Sequence, residues 1–333
     1  MLKWQRLRRA ALFSATALAL AACGGGDEGG GQEGEAGQEL QDIHLVLGWL
    51  AEPSRGGYFA ALQQGYYEGE GFEMFMDPGT RVSAVQLVAA GRADFGLGDV
   101  DELLSARDKG IPVVGLFAPF QTSPRVLLYH QGQPIDDFTD LDGRTVFVDP
   151  GDEWWEFVKD EYSLTEVQEQ SYTGGLQPFI TDEESVNQGF LGQEDLALAE
   201  EGIPVDYLVV GDSGFNPYTN VLFTTEEYIE QNPDVVRRMV EASVRGWEYY
   251  QENYPEVNVF LQQYNQELTP EAMDANAEAQ APLIYGGDAE TNGVGWMTEE
   301  RWAEIGDILT RVGVLENTVE ASTAFTTENL PGG

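Results

Sequence analysis

One cysteine, two histidines and three lysines (Lys3, Lys109, Lys159) are all that 333 residues hold of these types. The single thiol, Cys23, cannot close an internal disulfide, and His44 and His130 are neither paired nor set at a metal-ligand spacing. Disulfide frameworks, Cys/His metal centres and thiol–imidazole catalysis are therefore excluded, and both histidines read as structural. A Gly-x-Ser-x-Gly elbow is also missing. Positive charge is scarce: the formal net charge is −41, which leaves nothing to displace counterions from a phosphate backbone and excludes nucleic acid as a partner. With 58 acidic residues, most carboxylates must be a solvated face, suited to a salty exterior, so a pair of them carries no catalytic information. Gly286-Gly287 through Gly293-Val294-Gly295 lies between helices, without the strand-before-helix context of a nucleotide fingerprint or a Gly-Lys-Ser/Thr cradle; these glycines read as turn formers.

What is present begins with a leader. Lys3, Arg6, Arg8 and Arg9 form a basic start, Ala10 to Leu20 an apolar run too short to span a bilayer, and Leu20-Ala21-Ala22-Cys23 a small-residue processing site. This reads as a lipoprotein signal peptide over residues 1–22, with lipidation of Cys23 anchoring the mature chain to the cell membrane in an extracytoplasmic location. Residues 23–40 are almost all Gly, Glu, Gln, Asp and Ala, a composition that cannot offset ordering entropy and predicts a disordered tether. Beyond it no stretch approaches the ~20 apolar residues of a transmembrane helix, which predicts a soluble body.

That body alternates strand and helix signals, as an α/β fold requires. Ile43 to Leu47 predicts a strand, Gly48 to Gly57 a turn-rich loop, and Tyr58 to Gln64 a helix ending at Gly65. Val82, Val85, Val88 and Ala89 follow helical spacing, Ala93 to Leu97 predicts a second strand, Asp99 and Glu102 a capping box, and Val113 to Phe117 a third strand. Three βα units in series predict a right-handed parallel sheet with ligands at the carboxyl ends of its strands. Further strands are expected at Thr145 to Val148, Asp206 to Val210 and Val221 to Thr224, and helices at Glu153 to Tyr162, Pro233 to Asn253, after Thr269-Pro270, and at Thr298 to Gly313. The arrangement predicts two lobes that the chain crosses twice, one of residues 41–130 plus 221–333 and one of 131–220.

The candidate site residues are binding residues. Trp49 follows the first strand, Asp99 the second, and Gln121-Thr122-Ser123 the third, where an open α/β sheet receives its ligand. Trp154 and Trp155 head one helix on opposite sides, so one can face a cleft. Asp212, Phe215, Tyr218 and Asn220 form a polar, aromatic loop near the second crossing. Aromatic faces with carboxylate and amide partners suit a flat, hydrogen-bonding ring, whereas an inorganic anion would want Arg or backbone amides.

On these residues the chain resembles the solute-binding proteins of ATP-driven (ABC) importers, in the family that includes thiamine-pyrimidine, riboflavin, and sulfonate or nitrate binders. The resemblance runs over essentially the whole body, through Gly48-Trp49, Gly57-Tyr58-Phe59-Ala60-Ala61, Gly65-Tyr66-Tyr67, Leu87-Val88-Ala89-Ala90-Gly91-Arg92-Ala93-Asp94-Phe95-Gly96, Gly110-Ile111-Pro112-Val113-Val114, Asn220-Val221-Leu222-Phe223-Thr224-Thr225, Asn232-Pro233-Asp234-Val235-Val236 and Gly246-Trp247-Glu248-Tyr249. It implies a type II periplasmic-binding-protein fold, with parallel-rich sheets flanked by helices, a ligand cleft between the lobes, no cofactor, no metal and no catalysis. The family's Trp, then Pro-Asn-Pro-Asp-His after one residue, is here Trp49-Leu50-Ala51-Glu52-Pro53-Ser54-Arg55, with Glu52 for Asn and Arg55 for His; its later Asn-Glu-Pro is Gln193-Glu194-Asp195, and its Tyr-rich hinge loop is Phe215 to Asn220. The resemblance carries ligand contact to Trp49, Glu194, Tyr218 and Asn220, and marks Glu52 and Arg55 as positions.

The expected ligand-binding set is thus Trp49, Glu52, Arg55, Asp99, Gln121, Ser123, Trp154, Glu194, Tyr218 and Asn220. The expected function is delivery of a small planar heterocycle of the thiamine-pyrimidine type to the transmembrane subunits of an importer, by a monomer held at the membrane by its N-terminal lipid. Riboflavin, or a sulfonate- or nitrate-type anion met by Arg55 or Arg125, is the alternative within the family. Outside it stand a pyrimidine-synthesising enzyme, which in the related family relies on the missing histidine and on a cysteine-rich iron site, and an adhesive lipoprotein with no cleft at all.

Overall fold

The computed structural model describes residues 40–78 and 83–331. The leader, Cys23 and all of the tether expected over residues 23–40 except Leu40 lie outside the described residues. Ten strands form two five-stranded sheets. They are β1 (Gln41–Val46), β2 (Phe72–Asp77), β3 (Phe95–Gly98), β4 (Val113–Phe117), β5 (Arg125–His130), β6 (Thr145–Val148), β7 (Gln168–Ser171), β8 (Val186–Phe190), β9 (Val205–Val209) and β10 (Val221–Thr225). The first sheet has the order β2-β1-β3-β10-β4 and the second β7-β6-β8-β5-β9.

Both sheets are mixed rather than parallel throughout. In the first, β1 runs parallel to β2 and β3, and β10 lies antiparallel between β3 and β4. In the second, β6 runs parallel to β7 and β8, and β5 lies antiparallel between β8 and β9. The expected run of three βα units therefore does not make neighbours of β3 and β4: β10, returning from the second sheet, inserts between them. The reversal aligns the site. A strand antiparallel to its neighbours starts at the edge where they end, so the residues before β10 and at the start of β5 meet the residues after β1, β3, β6, β7 and β8.

The chain passes from one sheet to the other between β4 and β5 and returns between β9 and β10. The strand Arg125–His130 belongs to the second sheet, so the first passage precedes the expected position near 130. A buried apolar run with a cation at its head gave no sign of which sheet would take it. The two passages touch through an isolated antiparallel bridge between Phe120 and Thr219.

Local chemistry explains most element ends. The Asp99 N–H donates to Glu102 Oε2 at 3.3 Å, closing the expected capping box on the helix Val100–Asp108. Thr269 and Thr298 cap the helices Pro270–Tyr285 and Glu299–Arg311 through their side-chain oxygens. The helix from Pro233 runs on to Leu261, with Asn253 non-helical where Pro255 removes an N–H. Helix Gly56–Gln63 lies so close to Pro233–Leu261 that a Cβ at Gly57 would sit 2.1 Å from the Trp247 ring and one at Gly246 would sit 2.2 Å from the Gly57 carbonyl oxygen. These glycines are the ones in the Gly57-Tyr58 and Gly246-Trp247 motifs, and what they encode is contact between helix backbones.

One buried cluster with Ile43, Phe59, Leu97, Leu116 and Trp247 fills the first sheet against these helices. A second, with Leu103, Val146, Trp155, Val221 and Trp302, runs from the first sheet into the second. Among the described residues no helix is long and apolar enough to cross a membrane. His44 stacks on Phe75 at 4.9 Å, and His130 stacks on Phe179 at 4.4 Å with its Nε2 3.0 Å from the Phe179 carbonyl oxygen.

Candidate functional site: a cleft between two sheet edges

A cleft of about 670 Å³ opens where the facing edges of the two sheets meet, within the range of small-molecule sites. From the first sheet come Gly48 and Trp49 after β1, Asp99 and Glu102 after β3, Thr219 and Asn220 before β10, and Arg55. From the second come Arg125 at the head of β5, Asp149 and Asp152 after β6, Tyr172 after β7, and Gln193 and Glu194 after β8. Gly48 has φ +72, a left-handed turn in which a Cβ would press the Leu97 carbonyl oxygen at 3.1 Å. That turn puts Trp49 at the cleft rather than in the core, and Trp49 remains 47% exposed.

The Glu52 carboxylate accepts from Gln193 Nε2 at 2.8 Å, and the nearby Trp49 indole N–H weakly favours its charged form. Glu52 sits behind Trp49, off the cleft wall, and 9% exposed. Burial first of all, with further repulsion from Glu194, raises its pKa to about 6 against the lowering pull of Arg55. Arg55 is 8% exposed and donates from NH1 to Ser54 Oγ at 2.5 Å. Glu194 accepts from the Phe190 N–H at 2.7 Å and from the Tyr172 hydroxyl at 3.2 Å, while its burial raises its pKa. A side chain at Gly189 would stand 3.1 Å from Glu194 Oε2, so the small residue makes room for the carboxylate. Glu102 is raised to about 7, mainly by burial and then by the negative charge of Asp99.

Arg125 is matched before any ligand arrives. Its guanidinium lies 3.5 Å from Asp99 and 3.8 Å from Asp152, and over the rings of Trp154 (5.2 Å) and Phe190 (5.4 Å). Asp99 belongs to the first sheet and Arg125 to the second, so this pair joins the two walls. Asp99 also accepts the Asn220 N–H at 3.0 Å, and Asn220 holds its left-handed φ of 56 by donating from Nδ2 to the Ser54 carbonyl at 3.1 Å.

Of the ten residues singled out from sequence, Trp49, Arg55, Asp99, Glu194 and Asn220 line the cleft. The other five lie behind it. Glu52 supports Trp49. Gln121 is buried and donates to the Ala118 and Trp296 carbonyls, and the Ser123 backbone N–H donates to Asn216 Oδ1; both secure the first passage between sheets. Tyr218 is fully buried, bonded to Thr298 and covered by the Arg301 guanidinium at 4.5 Å, so it anchors a helix start instead of stacking in the cleft. Neither Trp154 nor Trp155 faces the cleft: both are buried, their rings 5.7 Å apart. The expectation that one would be free fails because their helix is covered on a second side by Glu299–Arg311, as the Arg311–Glu161 pair and the Arg311–Phe157 contact show. Trp154 still matters indirectly, since it supports Arg125 and donates to Asp152 at 3.1 Å.

Asp149, Tyr172 and Gln193 were not identified from sequence as ligand-facing residues. A strand followed by a tight Asp149-Pro150-Gly151-Asp152 loop was legible, and that loop was the available signal for Asp149. For Tyr172 there was none, because β7 (Gln168–Ser171) is polar on both faces.

Relatives with curated names share most of the chain's length. A riboflavin-binding protein RibY of Chloroflexus aurantiacus is 26% identical over 319 residues, covering 88% of this chain and 87% of that protein. A formylaminopyrimidine-binding protein of Halalkalibacterium halodurans is 23% identical over 299 residues, covering 86% and 90%. A 4-amino-5-hydroxymethyl-2-methylpyrimidine phosphate synthase of Legionella pneumophila is 23% identical over a smaller share, 68% of this chain. In three dimensions the chain is similar to the periplasmic aliphatic sulphonate binding protein SsuA of Escherichia coli, with a TM-score of 0.66 at 14% identity over 88% of this chain and 94% of that one. That likeness gives the fold, a periplasmic-binding-protein fold. The family described as NMT1/THI5-like matches residues 52–256, and the chain belongs to it.

Proposed function

We propose that this protein is an extracytoplasmic solute-binding lipoprotein that presents a small planar heterocycle, of the thiamine-pyrimidine type, to the transmembrane subunits of an ABC importer. The observation that carries the reading is the cleft's composition: a half-exposed indole beside Asp99, Glu102, Asp149 and Glu194, with Arg125 already paired. An indole face takes a flat ring, and carboxylates accept from ring or amino N–H groups. A sulfonate would have to enter among these four carboxylates and Asp152. Two lobes, divided where the chain passes between the sheets, would close on the ligand about the Phe120–Thr219 bridge.

Three further parts of the reading rest on the sequence: lipidation at Cys23, the membrane location that follows, and a monomeric state. Binding rather than catalysis is supported by the two relatives named as binding proteins and by the position of both histidines away from the cleft wall. The synthase relatives make catalysis the competing reading, and it would require pyrimidine chemistry from purified protein.

The test is a thermal-shift screen followed by calorimetry with an aminopyrimidine, riboflavin and an alkyl sulfonate. A ligand held by the native state raises its melting temperature by linkage. Binding of the aminopyrimidine or riboflavin is the expected result; binding of the sulfonate alone, abolished by loss of Arg55 or Arg125, overturns the heterocycle reading.

A further inference from the structure

Positive and negative charge are placed differently on the cleft wall. Five carboxylates line it, from Asp99, Glu102, Asp149, Asp152 and Glu194. Two guanidiniums, Arg55 and Arg125, are set against them, and these are the withdrawn groups. Arg55 is 8% exposed. Arg125, its side chain 17% exposed, lies over the Trp154 and Phe190 rings and is matched by Asp99 and Asp152. Glu102 and Asp149, by contrast, are exposed, and Glu194 is half-buried. Among the described residues these three carboxylates form no salt bridge. The chain is acidic throughout, with a formal charge of −41, so the number of acids carries no argument. Their placement does: the wall buries its cations and turns unpaired acids toward the ligand.

The unpaired acids also gather beside the aromatic face. Glu194 follows Gln193, which bonds to Glu52 next to Trp49. Burial and then the negative charges of Glu194, Asp149 and Glu52 hold the Tyr172 hydroxyl well above its usual range, so these carboxylates stand around one part of the cleft. A cleft lined by one sign of charge concentrates the opposite sign. The face of an exposed indole attracts a cation as well. The two features ask for the same kind of group.

We propose that the ligand enters the cleft as a cation, a flat heterocycle with a fixed or ring-protonated positive charge, its ring on Trp49 and its charge met by Glu194 and Asp149. The proposal rests on the heterocycle reading and narrows it, from any ring with N–H donors to one that brings a full positive charge. A neutral ring would leave Glu194 and Asp149 uncompensated on the closed wall, and their mutual repulsion would strengthen as water left.

The experiment compares 4-amino-1-methylpyridinium, a fixed cation, with p-toluidine, which has carbon in place of the charged ring nitrogen and the same methyl and amino groups. Calorimetry on the wild type at pH 8, where p-toluidine is neutral, should show at least roughly tenfold preference for the cation, falling as salt is raised. Glu194→Gln and Asp149→Asn should each shrink the ratio by about threefold or more. A variant that merely disturbs the cleft weakens both compounds together, so an unchanged ratio in both variants overturns the proposal. Equal binding of the two compounds by the wild type, or tighter binding of p-toluidine, overturns it as well. If the wild type holds the aminopyrimidine or riboflavin but not the pyridinium, the cationic class falls and the heterocycle reading stands; if it holds none of these compounds, both fall.

Discussion

Gln193 Nε2 donates to Glu52 Oε2 at 2.8 Å, joining the segment after β8 in the second sheet to the loop after β1 in the first. Glu52 also lies within electrostatic reach of the Trp49 indole N–H, so one carboxylate stands between the cleft's aromatic face and the far wall. Removing the donor should favour separation of the walls without unfolding either sheet. Gln193→Ala is expected to raise the radius of gyration of the ligand-bound form and to weaken binding by roughly tenfold, as loss of a hydrogen bond to a charged group does. Small-angle scattering and calorimetry check this, and an unchanged radius with unchanged affinity refutes it.

Trp49 offers a separation of binding from stability. A side chain 47% exposed contributes little to the core, whereas a stacking surface in a cleft acts as an aromatic hot spot. Trp49→Ala should cost about 2 kcal/mol or more in ligand affinity while leaving the thermal midpoint of the unliganded protein within a degree or two. A large drop in that midpoint would assign Trp49 to the core instead.

The pH dependence of stability follows from Glu52 and Glu102, raised by burial to about 6 and about 7 from 4.5. Between 4.5 and these values the folded state holds more protons than the unfolded chain, so their contribution is complete below about pH 4.5 and is lost as pH rises through 6 and 7. Glu102→Gln keeps an oxygen for the Asp99 N–H and removes a charge that repels Asp99. It should match wild type near pH 4.5 and, because the side chain is exposed and its charge screened by solvent, be more stable by no more than about 1 kcal/mol at pH 8. Thermal melts at the two pH values decide, and a variant equally stabilised at both would show that the charge is not the cause.

Local signals carried most of the fold and only half of the expected site. Capping at Asp99, Thr269 and Thr298, the apolar strands at 43–47 and 113–117, and the amphipathic helix Glu299–Arg311 are written within a few neighbouring residues and appear as expected, although a short helix, Ala321–Ala324, follows the one expected to end the chain. Sheet order is different in kind. The insertion of β10 between β3 and β4 depends on a partner over a hundred residues away, and no period in Val221–Thr225 names it. For the same reason Tyr218 could be placed next to Asn220 but not on the correct side of the backbone. The left-handed turn at Asn220 sends the two residues to different environments, one beneath Arg301 and the other to the cleft. Arg55 and Glu52 illustrate the reverse case: as departures from a motif they gave positions without roles, and burial in three dimensions supplied the roles.

The anchor is tested apart from the fold. Cys23→Ala should leave the precursor unprocessed or release the protein from membranes, because the described residues include no membrane-spanning helix that could hold it there. Membrane fractionation and mass spectrometry of the N-terminus provide the measurement; a variant as lipidated and membrane-bound as wild type would overturn the leader reading.

Glu194 separates the two ligand chemistries most sharply. Its carboxylate is fixed by the Phe190 N–H and the Tyr172 hydroxyl, and partial burial raises its pKa. An N–H of a heterocycle pointed at it would gain a charge-assisted bond, while an anion would meet repulsion in a site of low dielectric. Glu194→Gln removes the charge and keeps size and one acceptor oxygen. A donor-bearing ring should then bind more weakly, by about 1 to 3 kcal/mol, and its affinity should lose whatever dependence on pH comes from ionisation of Glu194. A sulfonate should bind more tightly to the same variant. Calorimetry of wild type and Glu194→Gln with the aminopyrimidine and the alkyl sulfonate, at pH 5 and pH 8, gives both signs in one experiment; tighter binding of the aminopyrimidine to the variant would reverse the assignment of Glu194 as an acceptor.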